Sequence, residues 1–344
     1  MKKAPAKKTA YAKSGVDIDL SNSIKSGLGA RLKSTRRPEV LSSIGGFGGL
    51  FDAKFSGYKH PVLVTSIDGV GTKLKVASMM NQHESIGEDL VNHCVDDIAV
   101  LGAEPLFFLD YVGTSKLDTS RFHQILKGLT RACKQANCAL IGGETAQMPG
   151  IYHGDDYDLV GTIVGVVDKT KIIDGKTIKP GDVVVGFPSS GLHTNGFSLA
   201  REILFKKLRM RIQDAMPGTK KTLGDALLAP HINYQLMLKE LAAKVKIKGL
   251  AHITGGGFID NIPRVLPKGV GVEIQLGAWK RPPIFDLLES KGKVSTNELY
   301  QVFNMGIGMV AIVAAKDAPK VLDHTKAWVI GSVTKGSQKV KLVS

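Results

Sequence analysis

Pro61-Val62-Leu63-Val64-Thr65-Ser66-Ile67-Asp68-Gly69-Val70-Gly71-Thr72-Lys73 is the stretch from which the rest of the chain is read. Its β-branched start predicts a strand at 61–67, and an acid, two glycines, a hydroxyl and a lysine emerge together where that strand ends. Glycines there let the backbone close around an anion and offer it N–H groups. Asp68 suits a divalent cation and Lys73 suits phosphate, which makes both candidate catalytic groups. Gly69, Gly71, Thr72 and Lys73 are candidate nucleotide contacts. The order is not that of a P-loop, where lysine precedes the hydroxyl residue; here threonine precedes lysine. A tight turn without a ligand would use the same glycines, so the neighbouring segments have to decide.

Further strands are expected at 105–112, 138–142 and 158–167, separated by helices near 84–101 and 119–136. The second helix sets Phe122, Ile125, Leu126, Leu129 and Cys133 on one stripe, with Asp118 or Thr119 to cap it. Upstream, Ile44-Gly45-Gly46-Phe47-Gly48-Gly49-Leu50 has too much glycine for a helix or strand, and its central aromatic and apolar flanks suit a loop that closes over a ligand. Downstream, Asp168 to Gly175 is polar, Pro180-Gly181 signals a turn and Asp182 to Phe187 begins a new strand. This divides the chain into a basic, disordered tail at 1–14, a domain at 15–168 and a second at 169–344. The second carries Ser189-Ser190-Gly191-Leu192-His193-Thr194-Asn195-Gly196, then Thr254-Gly255-Gly256-Gly257-Phe258 and a buried strand at 307–314. The fold class expected is α+β in two mixed domains, not a doubly wound sheet.

On the helix 84–101, Ile86, Leu90, Cys94, Ile98 and Leu101 form an apolar stripe that includes Asp97, while Asp89, Asn92 and Asp96 lie opposite or nearly so. A carboxylate on a buried face needs compensation, either from a metal or from backbone N–H groups or an arginine. Glu144 follows Ile141-Gly142-Gly143 at an expected strand end, as Asp68 does. Asp68, Asp97 and Glu144 are therefore candidate magnesium ligands.

The chain has 344 residues, 43% hydrophobic and 22% charged, enough for two domains with cores of their own. It has no run of ~18 apolar residues to span a membrane, and Met1 to Lys8 leads into no apolar stretch of a secretory signal. Cys94, Cys133 and Cys138 form no C-x-x-C pair, which points to a reduced, cytoplasmic protein with buried thiols. The net charge is +15, of which Lys2, Lys3, Lys7, Lys8 and Lys13 supply five. Aromatic residues are only 6% and none interleave the basic stretches, so the charge fits phosphorylated small molecules better than nucleic acid.

The ordered motifs resemble the phosphoribosylformylglycinamidine cyclo-ligase family of purine biosynthesis, also called aminoimidazole ribonucleotide synthetases. The matching stretches run from Gly15-Val16-Asp17-Ile18-Asp19, Thr35 to Val40 and Gly45-Gly46-Phe47-Gly48 through Asp68 to Lys73, Gly102 to Tyr111 and Gly142-Gly143-Glu144. They continue with Met148 to Asp158, Ser189-Ser190-Gly191, His193, Asn195-Gly196, Thr254 to Phe258 and Asn261 to Pro267, covering about residues 11–335.

The resemblance implies an ATP- and magnesium-dependent ring closure, commonly with potassium. ATP activates a formamide oxygen as a phosphate ester, an amidine-side nitrogen attacks the same carbon, and phosphate leaves. It implies that Asp68, Asp97 and Glu144 hold magnesium, and that Lys73 and the N–H groups of the loop with Gly45, Gly46, Gly48 and Gly49 meet the triphosphate. It further implies a homodimer in which the first domain pairs with its twin into a barrel-like sheet, and a C-terminal α/β domain. His193 is either a general acid or base or the residue that orders its own turn; His153 lies in a matched loop and would reach substrate. Other ATP-using enzymes of the superfamily are alternatives, but the selenophosphate synthetases rely on an N-terminal cysteine or selenocysteine, and the first cysteine here is Cys94. A basic nucleic-acid-binding module on the same fold is a further alternative, distinguished by DNA binding that persists above ~200 mM salt.

Overall fold

The alternation in residues 61–69 becomes strand β1 (Pro61–Gly69), whose side chains turn by turns toward a helical layer and away from it. The computed structural model describes residues 10–344 apart from 19, 21, 24–28 and 43–45, so Gly45 and the first four lysines lie outside the described residues. After β1 come α1 (Lys73–Met80), α2 (Glu84–Ala99), β2 (Glu104–Thr114), α3 (Thr119–Gln135), β3 (Ala139–Gln147) and β4 (Tyr157–Asp168). The strands form one sheet in the order β1-β4-β2-β3. β4 is antiparallel to β1 and β2, while β2 and β3, joined through α3, are parallel. Each element expected between 61 and 168 is present with bounds moved by a few residues. β3 moves most: it follows β2 as far as Gln147, so Glu144 sits inside a strand and not at its end.

α2 lies across the inner face of this sheet and against α3, whose first turn is capped by Asp118 accepting from the Arg121 N–H. At the crossing the two helices meet backbone to backbone. A Cβ on Gly87 would collide with the Ile125 carbonyl, and one on Gly128 with that of Glu84. The outer face of the sheet is less covered, with Leu63 60% and Ile67 66% exposed. Upstream, Ala10–Lys13 makes one helical turn with the Ser14 and Val16 N–H groups returning to the Tyr11 carbonyl. Residues 1–9 of the expected tail lie outside the described residues.

The second domain begins after a 3₁₀ turn at Lys169–Lys171. It contains β5 (Val183–Pro188), α4 (Phe197–Arg201) widening into a π-helical stretch at Glu202–Lys207, α5 (Leu223–Leu227), α6 (Gln235–Ala242) and β6 (Ile247–His252). Then follow α7 (Gly257–Asn261), β7 (Val270–Gln275), α8 (Pro283–Gly292), α9 (Thr296–Val302), β8 (Ile307–Val313), α10 (Ala318–His324), β9 (Trp328–Lys335) and β10 (Val340–Val343). The six strands run β10-β7-β9-β5-β8-β6, and β8 is buried along its whole length, as its unbroken apolar run predicts. All pairs are antiparallel except β7 with β10. This domain is thus α+β like the first, not the parallel sheet that an α/β label implies. The described residues contain no helix long and apolar enough to cross a membrane, and Cys94, Cys133 and Cys138 are buried free thiols.

The face of α2 opposite its apolar stripe is buried as well. Asp89, Asn92 and Asp96, read as the face opposite the apolar stripe, are as buried as the stripe itself. The second domain packs on that face, and its backbone supplies the compensation. The His231 N–H donates to Asp89 at 2.7 Å, the Tyr234 N–H to Asp96 at 2.8 Å, and the Asn92 amide donates to the His231 carbonyl at 2.7 Å.

Candidate active site

β1 and α2 bring Asp68 and Asp97 to one place. Asp68 is on the inner face of β1 near its end, and α2 crosses that face one turn above it. The ring of His93, one turn before Asp97 on α2, lies between them: its Nε2 is 2.8 Å from Asp68 Oδ2. A nitrogen of His93, an oxygen of Asp97 and a nitrogen of His252 all lie within 4.8 Å of one another. His252, from the end of β6, holds Asp97 Oδ1 through Nδ1 at 2.9 Å, and the Ser66 hydroxyl donates to Asp97 Oδ2 at 2.9 Å. The Asp68 side chain is 43% exposed and that of Asp97 25%, whereas the histidines behind them are buried.

Three buried histidines and Thr194 form one chain of hydrogen bonds. His93 Nδ1 is 2.5 Å from the Thr194 hydroxyl, which is 3.3 Å from His231 Nδ1, and His231 Nε2 is 3.0 Å from His252 Nε2. The ends of the chain assign its protons. An ionised Asp97 can only accept, so His252 Nδ1 carries hydrogen; a neutral His252 then accepts at Nε2 from the His231 N–H. His231 in turn accepts at Nδ1 from the Thr194 O–H, and the Thr194 oxygen accepts from His93 Nδ1–H. His93 Nε2 then faces Asp68 Oδ2 at 2.8 Å, which favours the imidazolium form of that ring.

The local electrostatics agree. Burial disfavours a charged His93, but the hydrogen bond and charge of Asp68 outweigh it and raise its pKa. Burial holds His231 well below the ordinary histidine range, with the charges of its histidine neighbours adding to it. His252 is lowered too, again chiefly by burial and against the pull of Asp97. Burial alone would push both carboxyls up, yet Asp68 is held below its usual range by His93, and Asp97 by His252, His93 and Ser66. Two carboxylates held below their usual range, each facing a histidine and partly open to water, are thus backed by a buried network reaching into the second domain.

The family described as AIR synthase related protein, N-terminal domain, matches residues 55–167, and its C-terminal domain counterpart matches residues 179–343. The phosphoribosylformylglycinamidine cyclo-ligase of Geotalea uraniireducens is 50% identical over 341 residues, which is 97% of this chain and 98% of that protein. That of Geobacillus thermodenitrificans is 47% identical over 333 residues, 95% of this chain and 96% of that protein. The chain belongs to the phosphoribosylformylglycinamidine cyclo-ligase family. More distant solved structures share the fold. Thiamine-monophosphate kinase from Stenotrophomonas maltophilia superposes with a TM-score of 0.69 at 16% identity, covering 92% of this chain and 95% of that one. Hydrogenase maturation protein HypE in complex with ATP gives 0.67 at 17%, covering 94% and 90%.

Three expected site residues stand apart from Asp68 and Asp97. Lys73 is not open to phosphate: its Nζ is fully buried, 2.7 Å from Asp89 and donating to the Ala229 carbonyl at 2.9 Å. Burial draws Lys73 down and Asp89 up, each offset by the other's charge. The lysine points inward because it opens α1, whose Lys73, Leu74, Val76 and Ala77 are all buried. Glu144 is on the far side of the sheet. The register Asp68–Gly161–Asp110–Gly143 sets Gly143 on the inner face with Asp68, and the next residue, Glu144, on the outer face three strands away. At ~4.8 Å per strand that is roughly 14 Å within one chain. His193 is buried in a left-handed turn at φ 61° and stacks on His231 with ring centres 4.0 Å apart. Its Nε2 accepts the Ser190 N–H at 3.2 Å and burial holds it well below the usual range, so it orders its turn and is not placed as a base.

The remaining candidates are on the surface. Thr72 is exposed, its hydroxyl 3.0 Å from that of Ser198, and Gly71 takes a left-handed φ of 64° in the turn before α1. Gly46, Gly48 and Gly49 are exposed beside Phe47, and a Cβ on Gly49 would meet Ile141 of β3 at 2.7 Å, which places that loop along the β3 edge. His93, His231 and His252 are not marked as site residues by the sequence, and Thr194 enters only as part of its 189–196 motif. A signal was present: Asp89, Asn92, His93, Asp96 and Asp97 put polar groups on both faces of a helix that also carries a full apolar stripe. Such a helix has partners on two sides.

Proposed function

We infer that this chain closes the imidazole ring of formylglycinamidine ribonucleotide to give aminoimidazole ribonucleotide, ADP and phosphate. The observation that carries the reading is identity near 50% across almost the whole of this chain and of curated cyclo-ligases, with the two site carboxylates both present and ionised. The formamide oxygen takes the terminal phosphoryl group of ATP, turning a poor leaving group into phosphate. The amidine-side nitrogen then bonds to the same carbon, the C–O bond breaks, and a proton is released. Such chemistry asks the protein for placement and charge compensation more than for covalent catalysis.

Magnesium fits the residues present. Asp68 and Asp97 are hard oxygen donors kept ionised by histidine, and the charge of Asp97 works against that of Asp68, a repulsion a cation would relieve. We assign these two carboxylates to it; when bound, the ion offsets charge on the ATP phosphates. The turn Gly69-Val70-Gly71-Thr72 ahead of α1 supports the same reading, because the Thr72 side chain makes no capping hydrogen bond and the positive end of the helix would attract phosphate. The ATP complex of HypE, a protein of this fold, is further support. The uncovered outer face of the first sheet, with Leu63 and Ile67, supports pairing with a second copy.

The test is product formation. Purified protein given formylglycinamidine ribonucleotide, ATP and magnesium should yield a diazotisable aminoimidazole. Folded, metal-supplied protein that yields none overturns the reading.

A further inference from the structure

His231 touches neither carboxylate, yet it joins both. Its Nδ1 faces the Thr194 hydroxyl at 3.3 Å, on the arm that leads through His93 to Asp68. Its Nε2 faces His252 at 3.0 Å, on the arm that leads to Asp97, with Asp96 Oδ2 at 3.5 Å. The main chain of the same residue is gripped by α2, whose Asp89 accepts its N–H and whose Asn92 donates to its carbonyl, both at 2.7 Å. One face of the ring is covered by His193. The ring is therefore fixed in place by the first domain and by His193, while its two nitrogens fix the two residues through which the second domain reaches back to the carboxylates.

We propose that His231 is a positioning residue: through Thr194–His93 and through His252 it sets the orientation of Asp68 and Asp97, so that docking of the second domain completes the cation site of the first. This rests on the assignment of magnesium–ATP to those two carboxylates. The physical ground is that a side-chain carboxylate has two free torsions and binds a cation well only when a second hydrogen bond fixes them. Asp68 and Asp97 each take that bond from a histidine, and each histidine takes its own orientation from the chain centred on His231. His231 is uncharged in this role, and its action is geometric.

Three substitutions separate the arms. His231→Phe keeps the ring and its stacking but removes both hydrogen bonds. His231→Gln returns an amide where Nε2 was, toward His252, and His231→Asn returns one where Nδ1 was, toward Thr194. Binding of Mg²⁺–ATP, and of Mn²⁺ as a spectroscopic probe, is measured by calorimetry and paramagnetic resonance beside turnover and melting temperature. His231→Phe should weaken Mn²⁺ binding and raise the half-saturating magnesium concentration by about tenfold or more, the usual effect of losing an outer partner of a metal ligand. Its KM for the ribonucleotide should stay within about twofold of the parent, and at least one of the two amide variants should regain a good part of the loss.

The proposal is overturned if His231→Phe binds Mn²⁺ as the parent does. It is equally overturned if all three variants lose activity only in step with loss of folded protein, or if neither amide variant improves on phenylalanine. Should the parent make no aminoimidazole, the cyclo-ligase reading fails by itself, and the Mn²⁺ comparison still tests the positioning role.

Discussion

Lys73 and Asp89 meet at 2.7 Å with neither side chain exposed to solvent. The pair links the turn between β1 and α1 to the centre of α2, and the Ala229 carbonyl, which accepts from the same ammonium, extends the link into the second domain. A buried ion pair of this kind contributes little compared with an apolar replacement of similar shape, but removing one partner leaves a charge stranded in a dry site. Asp89→Asn should therefore cost ~3–5 kcal/mol in denaturant unfolding. The double variant Lys73→Met with Asp89→Asn, which removes both charges and keeps an acceptor for the His231 N–H, should recover much of that loss. A Lys73→Met variant that keeps full stability and loses only affinity for ATP would show instead that the lysine swings out to the nucleotide.

The contrast between Lys73 and Asp68 shows what the sequence could disclose. The strand, its turn and the acid at its end were legible because period-two alternation and glycine placement are local properties. The direction of Lys73 was not, because it depends on Asp89 sixteen residues on and on Ala229 in the other domain. Glu144 shows the same limit in a sheet. Its neighbouring glycines resemble a strand end, but the strand continues, and a one-residue step carries its carboxylate to the other face. Asp97 stands out because a carboxylate amid an apolar stripe is anomalous in any fold; its partner His252 does not, because 155 residues separate them.

Asp97→Asn tests the cation assignment directly. The amide preserves shape and can still accept from His252, so folding should be little changed. The lost charge should lower turnover at least ~100-fold, about 2.7 kcal/mol of barrier, and weaken the dependence on magnesium. A melting temperature that falls while residual activity follows the folded fraction would reassign Asp97 to a structural role. A stable and fully active variant would remove it from the site.

Asp110 gives a pH prediction. Burial on the inner face of β2 raises its pKa from 3.8 to about 7, only partly offset by a backbone hydrogen bond. The folded protein therefore keeps this proton through a range where the unfolded chain has lost it. Its contribution to stability is complete below pH ~4, declines as pH rises through the window up to about 7, and is lost above it, for a total of roughly 4 kcal/mol at most. Asp110→Asn should raise the melting temperature at pH 8 and change it little at pH 4.5. Equal effects at both values would mean that the carboxyl is ionised in the fold.

The open face of the first sheet gives the last prediction. Leu63, Thr65 and Ile67 share the outer side of β1, and β4 and β2 continue that side with Val160, Thr162, Val164, Leu109 and Tyr111, none of them fully buried. A solvated antiparallel face normally carries polar residues at alternate positions, whereas this one is mainly aliphatic and aromatic. Pairing with a second copy would cover it without disturbing Asp68, which points the other way. The parent protein should therefore sediment at about twice its 36.8 kDa chain mass. Ile67→Lys, placing a charge where the side chain is now 66% exposed, should shift it toward the single-chain mass with little loss of secondary structure. Thr65→Ser, on the same face, serves as the control. A parent that sediments as a single chain at micromolar concentration, or an Ile67→Lys variant that remains paired, would show that this face is not where two copies meet.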